Sequence, residues 1–135
     1  MIEIQSAFVS QVEPIEFGDL ADAVGALSGQ EITSGRARLQ INERSGNGLA
    51  GAVYYRGSLR TGSPLIPTVK VEIVVSPWSS TKSEIGIRPL THLGRFDSMR
   101  SNRFYSAARA VVQALFDQIF TDLLFEDSAS LVLAA

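Results

Sequence analysis

Apolar residues recur at helical spacing over residues 97–125, the longest patterned stretch in the chain. Phe104, Tyr105, Ala108, Val111, Val112, Leu115, Phe116, Ile119, Phe120, Leu123 and Leu124 form a wide apolar face. Arg103, Ser106, Arg109, Gln113, Asp117 and Thr121 form the polar stripe. This is the pattern of an amphipathic helix lying on a core. At 1.5 Å per residue it makes a rod of about 40 Å, longer than a nine-residue strand at about 30 Å. The helix is therefore expected to cross a whole sheet, or to overhang it and meet a partner.

Upstream the period drops to two. Ile2, Ile4, Ser6 and Phe8 alternate with Glu3, Gln5 and Ala7, which predicts a first strand ended by Pro14. Phe17, Leu20, Ala21, Val24 and Leu27 then predict a short helix, weakened by Gly18 and Gly25 and closed by Ser28-Gly29. Alternation returns at residues 36–43, where Ala37, Leu39 and Ile41 face inward. Ser45-Gly46-Asn47-Gly48 is read as a hairpin turn into a strand at 49–59. That strand carries Gly51 and Gly57 on its apolar face, which points to a bulge or a closely packed neighbour. Two further strands are expected at 68–76, with Val69, Val71, Ile73 and Val75 inward, and at 82–90, with Ile85 and Ile87 inward. The short turns between strands fit an antiparallel meander, because parallel crossovers need about a dozen residues. The expected fold class is α+β: a five-stranded antiparallel sheet packed by one long C-terminal helix, with a short helix after the first strand.

Composition sets bounds. The chain has 135 residues, 45% hydrophobic and 19% charged, with a net charge of −2. It is long enough to bury a core as one domain, and too apolar for a disordered segment. Residues 1–125 are read as that domain and 126–135 as a tail. The acidic balance gives no electrostatic reason to expect nucleic acid. There is no cysteine, which removes thiolate chemistry and Cys-ligated zinc and fits a reducing cytoplasm. No apolar run approaches the about 20 residues of a spanning helix. The acid at Glu3 and the absence of a basic segment argue against a signal peptide.

A strand, a short helical stretch, an antiparallel meander and a long closing helix together resemble the helix-grip fold of the START-like superfamily, the group of the polyketide cyclases. The residues carrying the resemblance are Ile2-Glu3-Ile4, the segment Val71-Glu72-Ile73-Val74-Val75-Ser76-Pro77-Trp78-Ser79 and the helix from Asp97. The chain departs from the family's usual seven strands and paired helices, which puts closure of its deep cavity in question. The resemblance implies a hydrophobic pocket between sheet and helix for a small apolar or aromatic molecule.

Residue chemistry adds little beyond this. His92 is the single histidine, placed before the long helix, and general acid–base work would need a positioned partner such as Asp97; a helix N-cap is the simpler role for Asp97. No carboxylate spacing suggests a metal site, and the glycines at 46, 48 and 51 lack the strand-to-helix context of a nucleotide cradle. No cofactor is expected. Tyr55, Tyr105, Ala108 and Val112 are the expected pocket lining. Arg88, Arg100 and Arg103, with Arg95, are read either as solvated or paired cations or as an anion-binding mouth. Three functions stay open. The favoured one is a small-molecule carrier or sensor without catalysis. The others are a dimeric interaction or secretion-chaperone-like module, and a cyclase- or dehydratase-like enzyme. The tail reads as a joint at Ser128-Ala129-Ser130 before the apolar Leu131-Val132-Leu133-Ala134-Ala135. Such a tail packs on its own domain or a neighbouring subunit, serves as a degradation signal, or stays disordered.

Overall fold

The computed structural model describes the backbone of residues 9–47, 51–64, 68–90 and 98–134; the side chains of residues 47, 98–101 and 126–134 lie outside that description. The elements are β1 (Val9–Glu13), α1 (Phe17–Ala26), β2 (Glu31–Ser34), β3 (Ala37–Asn47), β4 (Val53–Arg60), β5 (Val69–Pro77), β6 (Ser83–Pro89) and α2 (Ser98–Ala134). The strands form one six-stranded sheet in the order β1-β6-β5-β4-β3-β2, and every neighbouring pair is antiparallel. The class is α+β, a meander packed against a long C-terminal helix.

Alternation decides which face is covered. Leu39, Ile41, Leu59, Val71, Ile73, Val75, Ile85 and Ile87 have no exposed surface, and Val53 and Tyr55 are nearly as buried. From α2, Phe104, Ala108, Val111, Val112, Leu115, Phe116 and Ile119 are likewise fully buried. α2 packs on β1, β2, β3, β4 and β6, while α1 packs on β5 and α2. Both helices lie on this one apolar face. The eight strand residues whose alternation puts them under the long helix — Leu39, Ile41, Val53, Tyr55, Val71, Ile73, Ile85 and Ile87 — are all in the core. The connection from β1 to α1 is fixed by the buried Ser83 hydroxyl, which donates to the Ile15 carbonyl at 2.8 Å.

Three features depart from the sequence reading. The first is a sixth strand, β2. It has four residues and one buried side chain, Ile32. Two periods of alternation are too few to register as a strand in sequence. Its signal is instead Gly35, at φ 59°, in the two-residue turn that brings Ser34 opposite Ala37. The second is the end of β3, which runs on as strand through Asn47: Gly46 and Asn47 pair with Tyr54 and Val53, and Ser45 is the extra residue of a register shift and not part of a turn. Gly51, at φ 83°, precedes β4 and does not belong to it. The third is α2, which continues past residue 125 to Ala134, so the joint expected at 128–130 is helical, and whose Leu124, expected on the apolar face, is 68% exposed because nine residues put it on the side opposite Leu115. The first strand expected at 2–8 lies outside the described residues; β1 begins at Val9 and stops before Pro14.

Of the two readings of the glycines at 51 and 57, the closely packed neighbour holds at Gly57, and the bulge lies in the facing strand β3. Ile41 pairs with Gly57, yet the next pair is Arg44 with Tyr55, so β3 carries an extra residue over that interval. A Cβ at Gly57 would stand 2.4 Å from the Gln40 carbonyl oxygen and 3.1 Å from Ile73 Cδ1. Only glycine admits so close a neighbouring backbone.

Leu115→Ala is expected to cost about 2–5 kcal/mol, the range for truncating a fully buried leucine. Chemical denaturation measures it, and a shift below about 0.5 kcal/mol would mean that the α2 stripe is not the core.

Candidate functional site

The core between α2 and the sheet is solid around the residues expected to line a pocket. Ala108 and Val112 have no exposed surface, so not even a water-sized sphere touches them. Gly57 does not open space either, because the β3 backbone fills it. Tyr105 is half-buried at the edge of α2, where it meets Phe104 edge-on with 6.4 Å between ring centroids. The Arg109 guanidinium lies 5.6 Å from the Tyr105 centroid, within cation–π range.

A cleft opens instead on the α1 side. It holds about 350 Å³ and is lined by Ala21, Asp22 and Gly25 of α1, by Ser28 just after it, by Arg44 of β3, and by Val53 and Tyr55 of β4. Tyr55 is the residue of the expected set that the cleft contains. Its ring is buried and its hydroxyl donates to the Ala21 carbonyl at 3.2 Å, joining β4 to α1.

Local structure places each wall. Asp22 and Gly25 are one helical turn apart, so they share a face of α1. The end of α1 is fastened to β3: the Gly29 N–H donates to the Ile41 carbonyl at 2.6 Å, and the Ser28 hydroxyl donates to the Asn42 carbonyl. Gly29 sits at φ 86°, a left-handed conformation that glycine adopts without strain. Strict alternation from Ile41 would set Glu43 opposite Tyr55. The bulge sets Arg44 there, and so exchanges an acid for a base in the cleft wall. Arg44 and Asp22 were not legible as site residues. Their one signal was Gly57 in the facing strand, which pointed to a bulge or a close neighbour without saying what a bulge would re-aim.

The cleft acts on Tyr55. Burial pushes its hydroxyl pKa above the ordinary tyrosine value, the Arg44 charge pulls it down, and the Asp22 charge raises it. The phenol is therefore a neutral hydrogen-bond donor across the physiological range.

Of the arginines expected at a mouth, the side chains of Arg88 and Arg103 are among the described residues. Arg88 donates through Nε to Glu72 Oε1 at 2.8 Å and through Nη2 to the same oxygen. Glu72 and Arg88 are cross-strand partners on the face away from the helices, and Glu72 is buried while Arg88 is half-exposed. This pair accounts for Arg88 structurally. Arg103 is exposed on α2. The Arg100 side chain and all of His92, Arg95 and Asp97 lie outside the described residues, so the acid–base pairing and the anion mouth built on them find no geometry here. Trp78 is 62% exposed after β5 and lines no part of the cleft. Among the described residues, no group of three or more His, Asp or Glu is placed to hold a metal ion, and no helix is long and apolar enough to cross a membrane.

Compared with models of protein families, with curated proteins and with solved structures, the chain finds no match.

Two outcomes follow from these side chains. Arg88→Ala leaves the buried Glu72 carboxylate without its partner and is expected to cost about 1–3 kcal/mol. Glu72→Gln keeps an acceptor for Arg88 and should cost less; urea titration of the two variants gives the order, and a cost near zero for both would show the pair to be ordinary surface charge. Tyr55 gives a pH effect. With its folded pKa raised, the native state holds the proton that the unfolded chain releases near pH 10. Stability is thus full below pH 10 and falls as pH rises through the folded value. Tyr55→Phe should flatten this alkaline decline in unfolding free energy, and an unchanged slope would exclude a raised pKa.

Proposed function

We propose that this chain is a small-molecule binding or carrier protein of helix-grip type, with its ligand in the cleft between α1 and β3–β4. The observation that carries the reading is the cleft lining. Ala21, Val53 and the Tyr55 ring supply apolar surface, while Arg44, Asp22 and the Ser28 hydroxyl supply polar ends. Ligand sites combine an apolar wall with a few placed polar groups, and about 350 Å³ falls at the small end of their range. A molecule with an aromatic or short aliphatic body and one carboxylate fits this chemistry. Its body would lie along Tyr55 and Val53, and its carboxylate would face the guanidinium of Arg44.

Topology adds support to the helix-grip reading. β1 returns to pair with β6, the meander runs on through β2, and α2 spans the covered face. The departures are six strands where that group has seven, and one helix after β1 where it has two. With α2 pressed flat on the sheet, the ligand's place shifts from beneath the long helix to the side of the short one.

Gly25 gives the test. A Cβ there would stand 3.5 Å from the Tyr55 hydroxyl, an ordinary contact. Gly25→Ala is therefore tolerated and, at a helical position, should stabilise by about 0.5–1 kcal/mol. Gly25→Leu extends into the cleft. A panel of aromatic acids and fatty acids should raise the melting temperature of the wild-type chain and leave that of folded Gly25→Leu unmoved. A panel that moves neither would end the ligand reading, and one that moves both equally would put the ligand elsewhere.

A further inference from the structure

The net charge of −2 averages over a molecule whose charges are sorted. Residues 31–89, from β2 to β6, carry eight bases and four acids. Both helices lie on the apolar face of the sheet, and among the described residues no helix lies on the other face. Alternation sets Arg38, Arg56, Arg60, Lys70 and Arg88 on that open face, all exposed. Arg38 and Arg60 stand directly opposite one another on β3 and β4, an arrangement in which like charges repel and weaken a sheet. Lys70 pairs with Ser58 and is thus the diagonal neighbour of Arg60. Arg36 joins them from the turn before β3: a Cβ on Gly62, just past β4, would stand 2.5 Å from its Cβ.

The acids of this face do not balance that corner. Glu31 lies 3.8 Å from Arg38, and Glu72 is taken by Arg88. Asn42 and Glu43 fall in the bulged interval opposite Arg56, and Glu84 stands farther off, opposite Ser76 and Val12. Arg56, Arg60 and Lys70 form no ion pair among the described residues. Alternate residues of a strand are about 7 Å apart, so Arg60, Ser58, Arg56 and Tyr54 make a row along β4 that leads from the cations to a half-buried ring. Around that ring the surface is low. Tyr54 pairs with Gly46 on one side and with Val74 on the other, and Val74 pairs with Gly86.

We infer that the open face of the sheet binds single-stranded nucleic acid, with phosphates along Arg38, Arg60, Lys70 and Arg56 and a base on the Tyr54 ring. Guanidinium groups suit phosphate oxygens, and an aromatic ring standing clear of its neighbours offers a base its flat side. Cations in a row beside a stacking platform are the two parts that single-strand binding uses. The opposed Arg38 and Arg60 gain a common counter-charge when a phosphate lies between them. A lipid surface fits less well, because the exposed Leu124 and Phe125 stand on the helix that covers the opposite face. The inference does not rest on the ligand reading, whose cleft lies on the helix side.

The test is fluorescence anisotropy of a labelled oligothymidine of about 16 nucleotides, the upper end of single-domain site sizes, titrated with the full chain. Binding should weaken as salt rises, with a log–log slope of about −2 to −3 for three or four phosphates. No binding at low salt overturns the inference. Arg60→Gln with Lys70→Gln should lower the affinity and make the slope shallower. Both positions are exposed and the change removes a like-charge opposition, so the variant should melt no lower than the wild type; a lower melting temperature would assign these cations to the fold instead. Tyr54→Leu should weaken binding about five-fold or more with the slope unchanged. An unaltered affinity, or equal affinity for the duplex of the same sequence, removes the stacking role and the single-strand claim with it. Arg103→Gln with Arg109→Gln changes cations on α2 and should leave binding as it was. An equal loss there would mean that the charges act without regard to the face and overturns the assignment. Vesicles of phosphatidylserine and phosphatidylcholine that bind the chain while the oligonucleotide does not would give the face to a lipid surface.

Discussion

An antiparallel sheet with one apolar face cannot stand alone in water, and in this chain α2 packs on five of the six strands while α1 packs on β5. Leu39, Ile41, Leu59, Ile85 and Ile87, on strands that α2 packs against, have no exposed surface, and Ala108, Val111, Val112, Leu115 and Ile119 of α2 are equally buried. At about 25 cal/mol per Å² of apolar area, burial on this scale is the dominant favourable term in folding. Everything else adjusts to it. The strands keep their register because a slip by one residue would turn Val71 and Ile73 outward. Glu72, forced to the other face by the same alternation and yet screened from water, is held by Arg88.

That constraint explains which parts were legible. The long periodic segments announced themselves: β5, β6 and α2 follow from alternation or helical spacing alone, because each has enough repeats for burial to imprint a period. β2 left no imprint, since a strand with Ile32 as its one buried residue has no period to read. The end of β3 misled because Ser-Gly-Asn-Gly is turn chemistry by local preference, and pairing with Val53 and Tyr54 of β4 overrode that preference as far as Asn47. The extension of α2 was hidden for the same reason in reverse. Ser128 and Ser130 are weak helix formers beside an established helix of several turns, and propagation costs far less than nucleation.

Of the expected pocket lining, Tyr55 lies in the candidate cleft, while Ala108 and Val112 are fully buried in the packed core. Small side chains in a well-packed core mark close approach more often than emptiness. Arg44 is the converse case. In a regular strand its neighbour Glu43 would face Tyr55, and only the irregularity between Ile41 and Arg44 reverses this. Strand parity can be read from sequence, but the place where a bulge breaks it depends on contacts between strands, here the approach of the Gln40 carbonyl to Gly57.

The two helices thus divide the covered face unequally, and the division bears on function. α2 fits the sheet without gaps, and its fully buried residues leave nothing to open short of moving the whole helix. α1 is ten residues long, with Leu20 and Val24 fully buried, and contains Gly18 and Gly25. Its capping residue, Glu16, makes no side-chain cap bond. It is held by a few polar ties: the Tyr55 hydroxyl to Ala21, and Ser28 and Gly29 to the bulged stretch of β3. Elements with few buried apolar contacts open at lower free energy than the core they adjoin. A cleft walled by such an element can adapt to a guest while the sheet and α2 stay fixed. Under the proposed carrier reading, a fixed sheet and α2 beside a short helix held by few polar ties is the division that would let a guest load and leave without unfolding.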